Sequence, residues 1–506
     1  MEERWDAVVI GAGLGGLTAA ALLAGEGLKV LMVEKASHPG GTAYTYRRKD
    51  FAFPMGPLGF SNPDLVREIL KGVGVEEDLK LRRASYLLSA FGQKMRLSQP
   101  FQDLGAELAT LYPAERKGIS KFFNDIREIN NTLRDPGRVS SPKSLQLINA
   151  SAAAYLDRIV RDRHLRRILG SMGTREPYSG MPLLAAMWDL LCEKGVHYPK
   201  GGMRHLCDIL AEAVEGGSRS GLIRLGAEAA EIIVEGGRAA GVVMSDGKAI
   251  GAGGVISNAD FKTTFLRLVP SPKVPPELLQ TVSQASQTMS NLQVCLGLDP
   301  SRVDLSAFDE GSRIIHRRDG LVDMEEEGVL IWDNLVIDPD TLAGDEMEID
   351  LLSLDDPLLA PPGKAVMVIR VAADYRHFTR FRTQYGKRKP GYVEYKTRLA
   401  MALVAEASKL APGLVDAIEV MDVATPLTFE ERGGRSEGAV AGWSWNYSIE
   451  HGGDTKELVL TPIARLYMAG YQAFSMLSLG GVPSAMQSGV KAARYLLEGA
   501  GPGEWV

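Results

Sequence analysis

Apolar positions follow two rhythms along this chain. Near the amino end, Ala7–Ile10 is a short unbroken apolar run and Lys29–Val33 is apolar after its leading lysine, the pattern of strands buried on both faces. Between them Leu17–Ala24 is small, apolar and free of proline. It reads as a helix ended by Gly25 and Gly27. Phe51–Pro57 reads as a short strand closed by a Gly-Pro turn. From Asn62 to about Arg166 helical spacing dominates, in PDLVREILKGVG, AERKGISKFFNDIREINNTL and SAAAYLDRIVRDRHLRRIL. A turn at His197–Met203 leads to a helix over Arg204–Val214. A meander of strands follows up to Ser257-Asn258, with Gly236-Gly237 and Asp246-Gly247 as hairpin turns. Further on, Asn291–Leu298 and Ala365–Val371 are strand-like and Glu394–Ser408 is helical. Leu466–Gly470 is a short strand ending in glycine, and Val490–Leu497 is the last expected helix.

The first strand runs straight into Gly11-Ala12-Gly13-Leu14-Gly15-Gly16, and Glu34 closes the second strand. Strand, glycine-rich turn, helix, strand and acid in that order make a dinucleotide-binding βαβ unit. Gly11 suits the tight turn out of the strand. Gly13, lacking a Cβ, lets backbone approach a pyrophosphate. Gly16 lets the helix lie close to the strands. The helix N-terminus offers N–H groups and a positive dipole end to phosphates, and a carboxylate at 34 would accept from ribose hydroxyls. Gly40-Gly41-Thr42 places flexible backbone beside Glu34. At the far end Ser478–Gly489 is a second glycine-rich lead-in to a helix, hence a second electropositive backbone site.

The bulk numbers narrow the classes. A length of 506 residues allows two to four domains or one large elaborated one. Hydrophobic content of 45% and charged content of 24% are ordinary for a soluble globular chain. A net charge of −6 argues against general nucleic-acid binding. The three cysteines, Cys192, Cys207 and Cys295, form no CxxC pair, which points away from a dithiol centre or a zinc knuckle and suits a reducing cytoplasm. No signal peptide is expected before the first strand, and no run of about 18 apolar residues would span a membrane. Peripheral membrane contact stays open. The arginines of 158–167 read as a solvated helix face, with anionic lipid headgroups as the sharper alternative. The basic-aromatic stretch Tyr375–Lys396 reads as an ordinary helix and loop, not a single-strand nucleic-acid site. The seven histidines are scattered. No metal-spaced or nucleophilic cluster stands out, and no catalytic residue is assigned. His197, Tyr198 and Trp443 are at most cavity-wall candidates.

Two glycine-rich helix starts at opposite ends, with a meander and a lobe between, resemble the FAD-dependent amine oxidase and desaturase superfamily. Within it the chain is similar to the bacterial-type phytoene desaturase branch, which includes carotenoid isomerases and retinol saturases. The matching residues are DAVVIGAGLGGLTAAALLAGEGLKVLMVEK with Gly40-Gly41, YPKGGM at 198–203 and GAEAAEIIVEGGRAAGV at 226–242. They continue as VISNAD at 255–260, DDPLLAPPGK at 355–364, TPLTFEER at 425–432 and YMAGYQ with GGVPSAMQSGVKAA in 467–493. The resemblance implies an α/β fold: a Rossmann-type FAD-binding domain with an inserted α+β substrate domain of mixed sheet and helix. The FAD domain would comprise 1–61, 195–260 and 455–506, and the substrate domain 62–194 and 261–454.

It also implies non-covalent FAD. The ADP half would sit on Gly11, Gly13 and Gly16, with Glu34 on the ribose, Ala229 at the adenine, and Gly41 and Gly470 beside the pyrophosphate. Gly481, Val482, Ala485 and Met486 would face the isoalloxazine, where a helix N-terminus stabilises negative charge on the reduced ring. Gly15, Lys35 and Thr42 complete the expected cofactor set. Two places depart from the family pattern: Pro54 stands where an acid usually follows the phenylalanine, and Leu477-Ser478-Leu479-Gly480-Gly481-Val482-Pro483-Ser484 stands where the family often reads PGxGxPG.

The implied reaction is desaturation, saturation or isomerisation of a long apolar carotenoid- or isoprenoid-like substrate. Oxygen, a quinone or another carrier would accept electrons, in the cytoplasm and with membrane association open. A flavin amine or small-molecule oxidase is the alternative, and a non-catalytic isoprenoid-binding protein on the same scaffold is a third. No second GxGxxG exists, so a pyridine-nucleotide site of the disulfide-reductase type is not supported.

Overall fold

The computed structural model describes residues 4–134, 146–170, 180–217, 219–285, 287–317, 325–326, 329–330, 346–383, 386–443, 457–474 and 481–503. A five-stranded parallel sheet runs in the order Gly221–Leu225, Val30–Glu34, Ala7–Ile10, Val255–Ser257, Leu466–Met468. Its apolar inner strands are covered on both faces. One face carries the helices Leu14–Gly25, Gly202–Glu215 and Val482–Glu498, through Leu17, Leu210 and Met486. The other face carries the meander of Ala229–Glu235, Arg238–Met244 and Ala249–Ala252, through Ile232, Val242 and Ile250. Register aligns Ile10 with Ser257 and Ser257 with Met468, so the turns after these strands meet at one edge. That edge is where open α/β sheets hold ligands.

The last helix begins at Val482, eight residues before the expected Val490. Glycine in mid-helix normally weakens a helix by about 1 kcal/mol, which made Gly489 read as part of the lead-in. Here the missing side chain is a packing requirement. A Cβ at Gly489 would stand 2.2 Å from the Gly15 carbonyl oxygen. The first and last helices cross with backbones almost touching, and Pro483 sits in the first turn, where no N–H is needed.

A seven-stranded sheet forms the second lobe. Its order is Ile418–Ala424, Ser290–Leu298, Ala365–Ala373, Met347–Asp350, Arg313–Arg317, Tyr86–Ala90, Gln93–Arg96, all antiparallel except Arg313–Arg317 with Tyr86–Ala90. One face is apolar: Val294, Ile314, Ile349 and Ile369 pack on Leu399 and Leu403 of helix Tyr392–Ala407. The strands Leu81–Arg83, Tyr86–Ala90 and Gln93–Arg96 correct the helical expectation over 62–166. Phe91 and Gly92 both have positive φ, at 51° and 71°, and make the hairpin turn. The apolar spacing of so short a run fits either period.

Helices return at Phe101–Leu111, Arg116–Arg134, Ala152–Ile159, Arg163–Gly170 and Met181–Trp188. They surround Phe122, Phe123 and Trp188, whose rings meet edge to face at 5.2–5.7 Å. Of the arginines in 158–167, Arg158, Arg161 and Arg163 are exposed, while Arg167 is buried with its guanidinium 6.0 Å from the Phe91 ring.

Gly489→Ala is expected to lower unfolding free energy by about 1–3 kcal/mol, the range for overpacking a tight contact. Gly72→Ala, where nothing lies within 4 Å of an added Cβ, is expected to leave stability unchanged or raise it slightly. Denaturant titration of both variants measures the difference.

Candidate functional site

A cavity of about 980 Å³ opens at the aligned edge of the parallel sheet and continues across the inner face of the seven-stranded sheet. Its first end is built of backbone. Gly11 has φ +88° and Gly41 +55°, values that disfavour any side chain. A Cβ at Gly13 would lie 2.7 Å from Asn258 Nδ2. One at Gly15 would lie 2.7 Å from both Asn258 Oδ1 and the Gly470 nitrogen, and 2.8 Å from the Ala485 oxygen. Asn258, at a third strand end, therefore sits as a plug among glycines contributed by two others. Neither Gly13 nor Gly481, the N-caps of the first and last helices, offers a side chain to the helix start. Two positive helix ends thus face one cavity.

Of the residues picked out in the sequence, Gly11, Gly13, Gly15, Glu34, Lys35, Gly41, Thr42, Ala229, Gly470, Gly481, Val482 and Ala485 line this cavity. Gly16 and Met486 do not. A Cβ at Gly16 would lie 2.2 Å from the Gly11 oxygen, so Gly16 closes the helix onto the strand, and Met486 is buried in the core behind. Glu34 is nearly buried. Its carboxylate accepts from the Ala12 N–H at 2.7 Å and the Ala36 N–H at 2.8 Å, which fixes both the glycine turn and the following loop. Trp443 lines the cavity, whereas Tyr198 is buried behind it, with Arg313 6.0 Å from its ring. His197 pairs in a strand with Arg83 and is held below the usual histidine range, first by burial and then by Arg83. Residues 477–480 of the second glycine-rich motif lie outside the described residues. Pro54 ends the strand Phe51–Pro54, and its carbonyl accepts from Gln293 Nε2 at 2.9 Å.

Arg435 was not among the sequence candidates. It follows the helix Pro426–Gly433 and lines the cavity. Its guanidinium donates to Thr42 Oγ1 at 2.7 Å and to the carbonyls of Ala439 and Val440 at 3.1 and 2.7 Å, and it stands 4.3 Å over the Tyr471 ring. Burial pushes its pKa down, against the pull of Tyr471 and Asp260. Asp260 caps the next helical turn and accepts from Ser436 and from Tyr471 at 3.0 Å. Only Gly433-Gly434 before Arg435 marks this loop in the sequence. The arginine's side-chain partner Thr42 lies 393 residues away.

The second end of the cavity is two-sided. Leu58, Leu183, Met187, Leu190 and Val196 form an apolar wall. The inner face of the seven-stranded sheet adds Ile315 together with a polar cluster of Tyr86, Arg313, Arg317, Glu348 and Arg370. Their strands alternate in the sequence, as in Met347-Glu348-Ile349-Asp350 with Ile349 toward the apolar core. That period of two is the signal that would have found them. Asp350, fully buried on this face, receives no hydrogen bond from the described residues. Arg313 and Arg370 stand only 3.9 and 3.8 Å away. Burial and neighbouring Glu348 outweigh them and raise its pKa to about 8.

A flavin nucleotide fits these residues. The glycine turns admit a pyrophosphate, and both buried Gln287 amide atoms and the Ser290 hydroxyl line the cavity without a hydrogen-bond partner among the described residues. The fold and site define a two-lobed dinucleotide-binding flavoprotein. The flavin containing amine oxidoreductase profile matches residues 14–376. The chain belongs to that family and is a flavin-dependent oxidoreductase.

The chloroplastic prolycopene isomerase of Arabidopsis thaliana is 26% identical over 470 residues, covering 86% of this chain and 74% of that protein. The neurosporene-forming phytoene desaturase of Cereibacter sphaeroides is 30% identical over 283 residues, 52% of this chain and 54% of that one. Among solved structures, an oxidoreductase from Methanosarcina mazei superposes with a TM-score of 0.64 at 19% identity, covering 96% of this chain and all of that one. It shares the fold.

Two outcomes follow from the buried charges. Arg435→Ala is expected to weaken flavin binding at least tenfold, with Arg435→Lys intermediate, because a charged hydrogen-bonding group at a half-buried site contributes about 1.5–3 kcal/mol. Flavin fluorescence titration reads this. For Asp350, both states hold the proton below pH 3.8, but between there and about 8 only the folded state does. Stability therefore falls as pH rises through that window. Asp350→Asn is expected to flatten the fall and to be the more stable protein at pH 8, by denaturant titration.

Proposed function

We propose that the chain binds FAD non-covalently and acts on carbon–carbon bonds of a long, largely apolar isoprenoid- or carotenoid-like substrate, by desaturation, saturation or isomerisation. The observation that carries this reading is the continuity of the cavity. It runs from the glycine-lined nucleotide end past Pro57 and Leu58 to the wall of Leu183, Met187 and Leu190, a volume at the upper end of ordinary ligand pockets. The likeness to a prolycopene isomerase and a phytoene desaturase supports the substrate class. The nucleotide lobe is taken as 1–61, 195–260 and 455–506, with the rest as the substrate lobe.

Gly11, Gly13, Gly41 and Gly470 would hold the pyrophosphate end, Glu34 the ribose and Ala229 the adenine. Gly481, Val482 and Ala485 would present the last helix's N-terminus to the ring. A bound flavin supplies hydride exchange with carbon. The chain's own residues position the substrate, exclude water with the Leu183–Leu190 wall, and place the positive dipole end where the reduced ring carries charge. Among the described residues no helix is long and apolar enough to cross a membrane. Peripheral contact is proposed as the route by which so apolar a substrate enters.

The test is anaerobic bleaching of the purified flavoprotein. Extracted isoprenoid lipids are expected to bleach the flavin absorbance while short amines leave it unchanged. Bleaching by amines alone would establish the amine oxidase reading instead. Acid precipitation is expected to release FAD into the supernatant. Flavin retained on the precipitated chain would contradict non-covalent binding.

A further inference from the structure

One patch on the inner face of the seven-stranded sheet, around Glu348 and Arg370, is wrongly built for a ligand that is hydrocarbon throughout. Gln293, Arg370 and Glu348 stand side by side across three strands. Glu348 Oε2 accepts from Arg370 Nη2 at 2.5 Å and Oε1 accepts from the Tyr86 hydroxyl at 3.1 Å. That hydroxyl accepts in turn from Arg313 Nη1 at 3.0 Å. Both Glu348 and Arg370 line the cavity, and their side chains keep 23% and 17% of their surface open. An ionised carboxylate has about four acceptor positions, so Glu348 has capacity left toward the ligand. Hydrocarbon laid against this pair would strip it of water and return no hydrogen bond, which is strongly unfavourable.

The charges here cancel. Arg370 pairs with Glu348, Arg313 with Asp355 at 3.1 Å and Arg317 with Glu346 at 2.9 Å. Asp350, its pKa raised to about 8 by burial and by Glu348, adds little charge at neutral pH. A ligand carboxylate or ammonium would leave one uncompensated charge in a water-poor cavity. A neutral hydroxyl leaves none. It donates to Glu348 and accepts from Arg370. The position also matters. Gln293 holds the Pro54 carbonyl, next to the Gly56-Pro57 rim of the cavity. Glu348 is two strands further on, roughly 10 Å at ordinary strand spacing.

Resting on the proposed flavin and isoprenoid reading, we propose that the substrate is an amphiphile with an apolar chain and a neutral hydroxyl end. Glu348 and Arg370 hold the hydroxyl, and Tyr86 and Arg313 orient Glu348. The hydroxyl is an anchor, and the reacting carbons lie part-way along the chain, toward Gly56 and Thr42.

The test uses the FAD-loaded full chain and three probes of one length: geranylgeraniol, geranylgeranoic acid and the matching hydrocarbon without oxygen. Binding is read from the flavin difference spectrum and from tryptophan quenching. The alcohol is expected to bind about ten- to a hundredfold more tightly than the hydrocarbon, the range for a hydrogen bond to a charged group. It should bind more tightly than the acid too. Glu348→Leu is expected to raise the alcohol's Kd about tenfold or more and to leave the hydrocarbon's equal or lower. Glu348→Gln, isosteric with the native residue, should fall between. Each variant's visible flavin spectrum confirms a loaded fold. Equal binding of alcohol and hydrocarbon, tightest binding of the acid, or a uniform loss across all three probes in Glu348→Leu would overturn the proposal. If isoprenoid extracts bleach the flavin and the alcohol shows no preference, the anchor alone fails. If neither extract nor probe acts, the isoprenoid reading fails with it.

Discussion

The structure depends on one close approach. The first and last helices meet with the Gly15 carbonyl against Gly489, while Asn258 fills the space that side chains at 13, 15 and 470 would occupy. Three strand ends and two helix starts are thereby locked to one another. The same absence of side chains that lets the backbones touch also leaves N–H groups open toward the cavity. Stability of the nucleotide lobe and its ability to hold a phosphate are thus two consequences of one packing arrangement. A substitution that fills the contact disturbs both.

That arrangement was legible in the sequence because its parts are local. Strand, turn, helix, strand and acid fall within Ala7–Glu34, and twelve of the fourteen expected cofactor residues line the cavity. The two that do not, Gly16 and Met486, obey the same pattern but face the core. Period alone cannot say which side of a fully buried helix points at a ligand. The start of the last helix was misplaced because Gly489 looks like a breaker until Gly15 is known to lie against it.

The second lobe was less legible, since its site is assembled from pieces far apart in the chain. Arg435 gains its meaning from Thr42 and Tyr471. Glu348 gains its meaning from Tyr86, Arg313 and Arg370, on three other strands. The alternation that marks each strand is short, and a five-residue run such as Tyr86–Ala90 fits a helix as readily. What that alternation builds is a sheet with one apolar face for the core and, on the cavity side, a polar cluster set among apolar neighbours such as Ile315. The departure at Pro54 lies where the two meet, since its carbonyl is held by Gln293 from the cavity side.

The cofactor and the cavity are therefore one design: a glycine-lined end that accepts a nucleotide, and a half-apolar, half-polar chamber that receives what the flavin acts on. The most direct measurement is a crystal structure of the chain grown with FAD. The account predicts the pyrophosphate against Gly13 and Gly41, the isoalloxazine beside Gly481 and Val482, and the open side of the ring facing the chamber bounded by Leu183, Arg370 and Glu348. A ring turned out to solvent, or a nucleotide bound away from the Gly11–Gly16 turn, would contradict it.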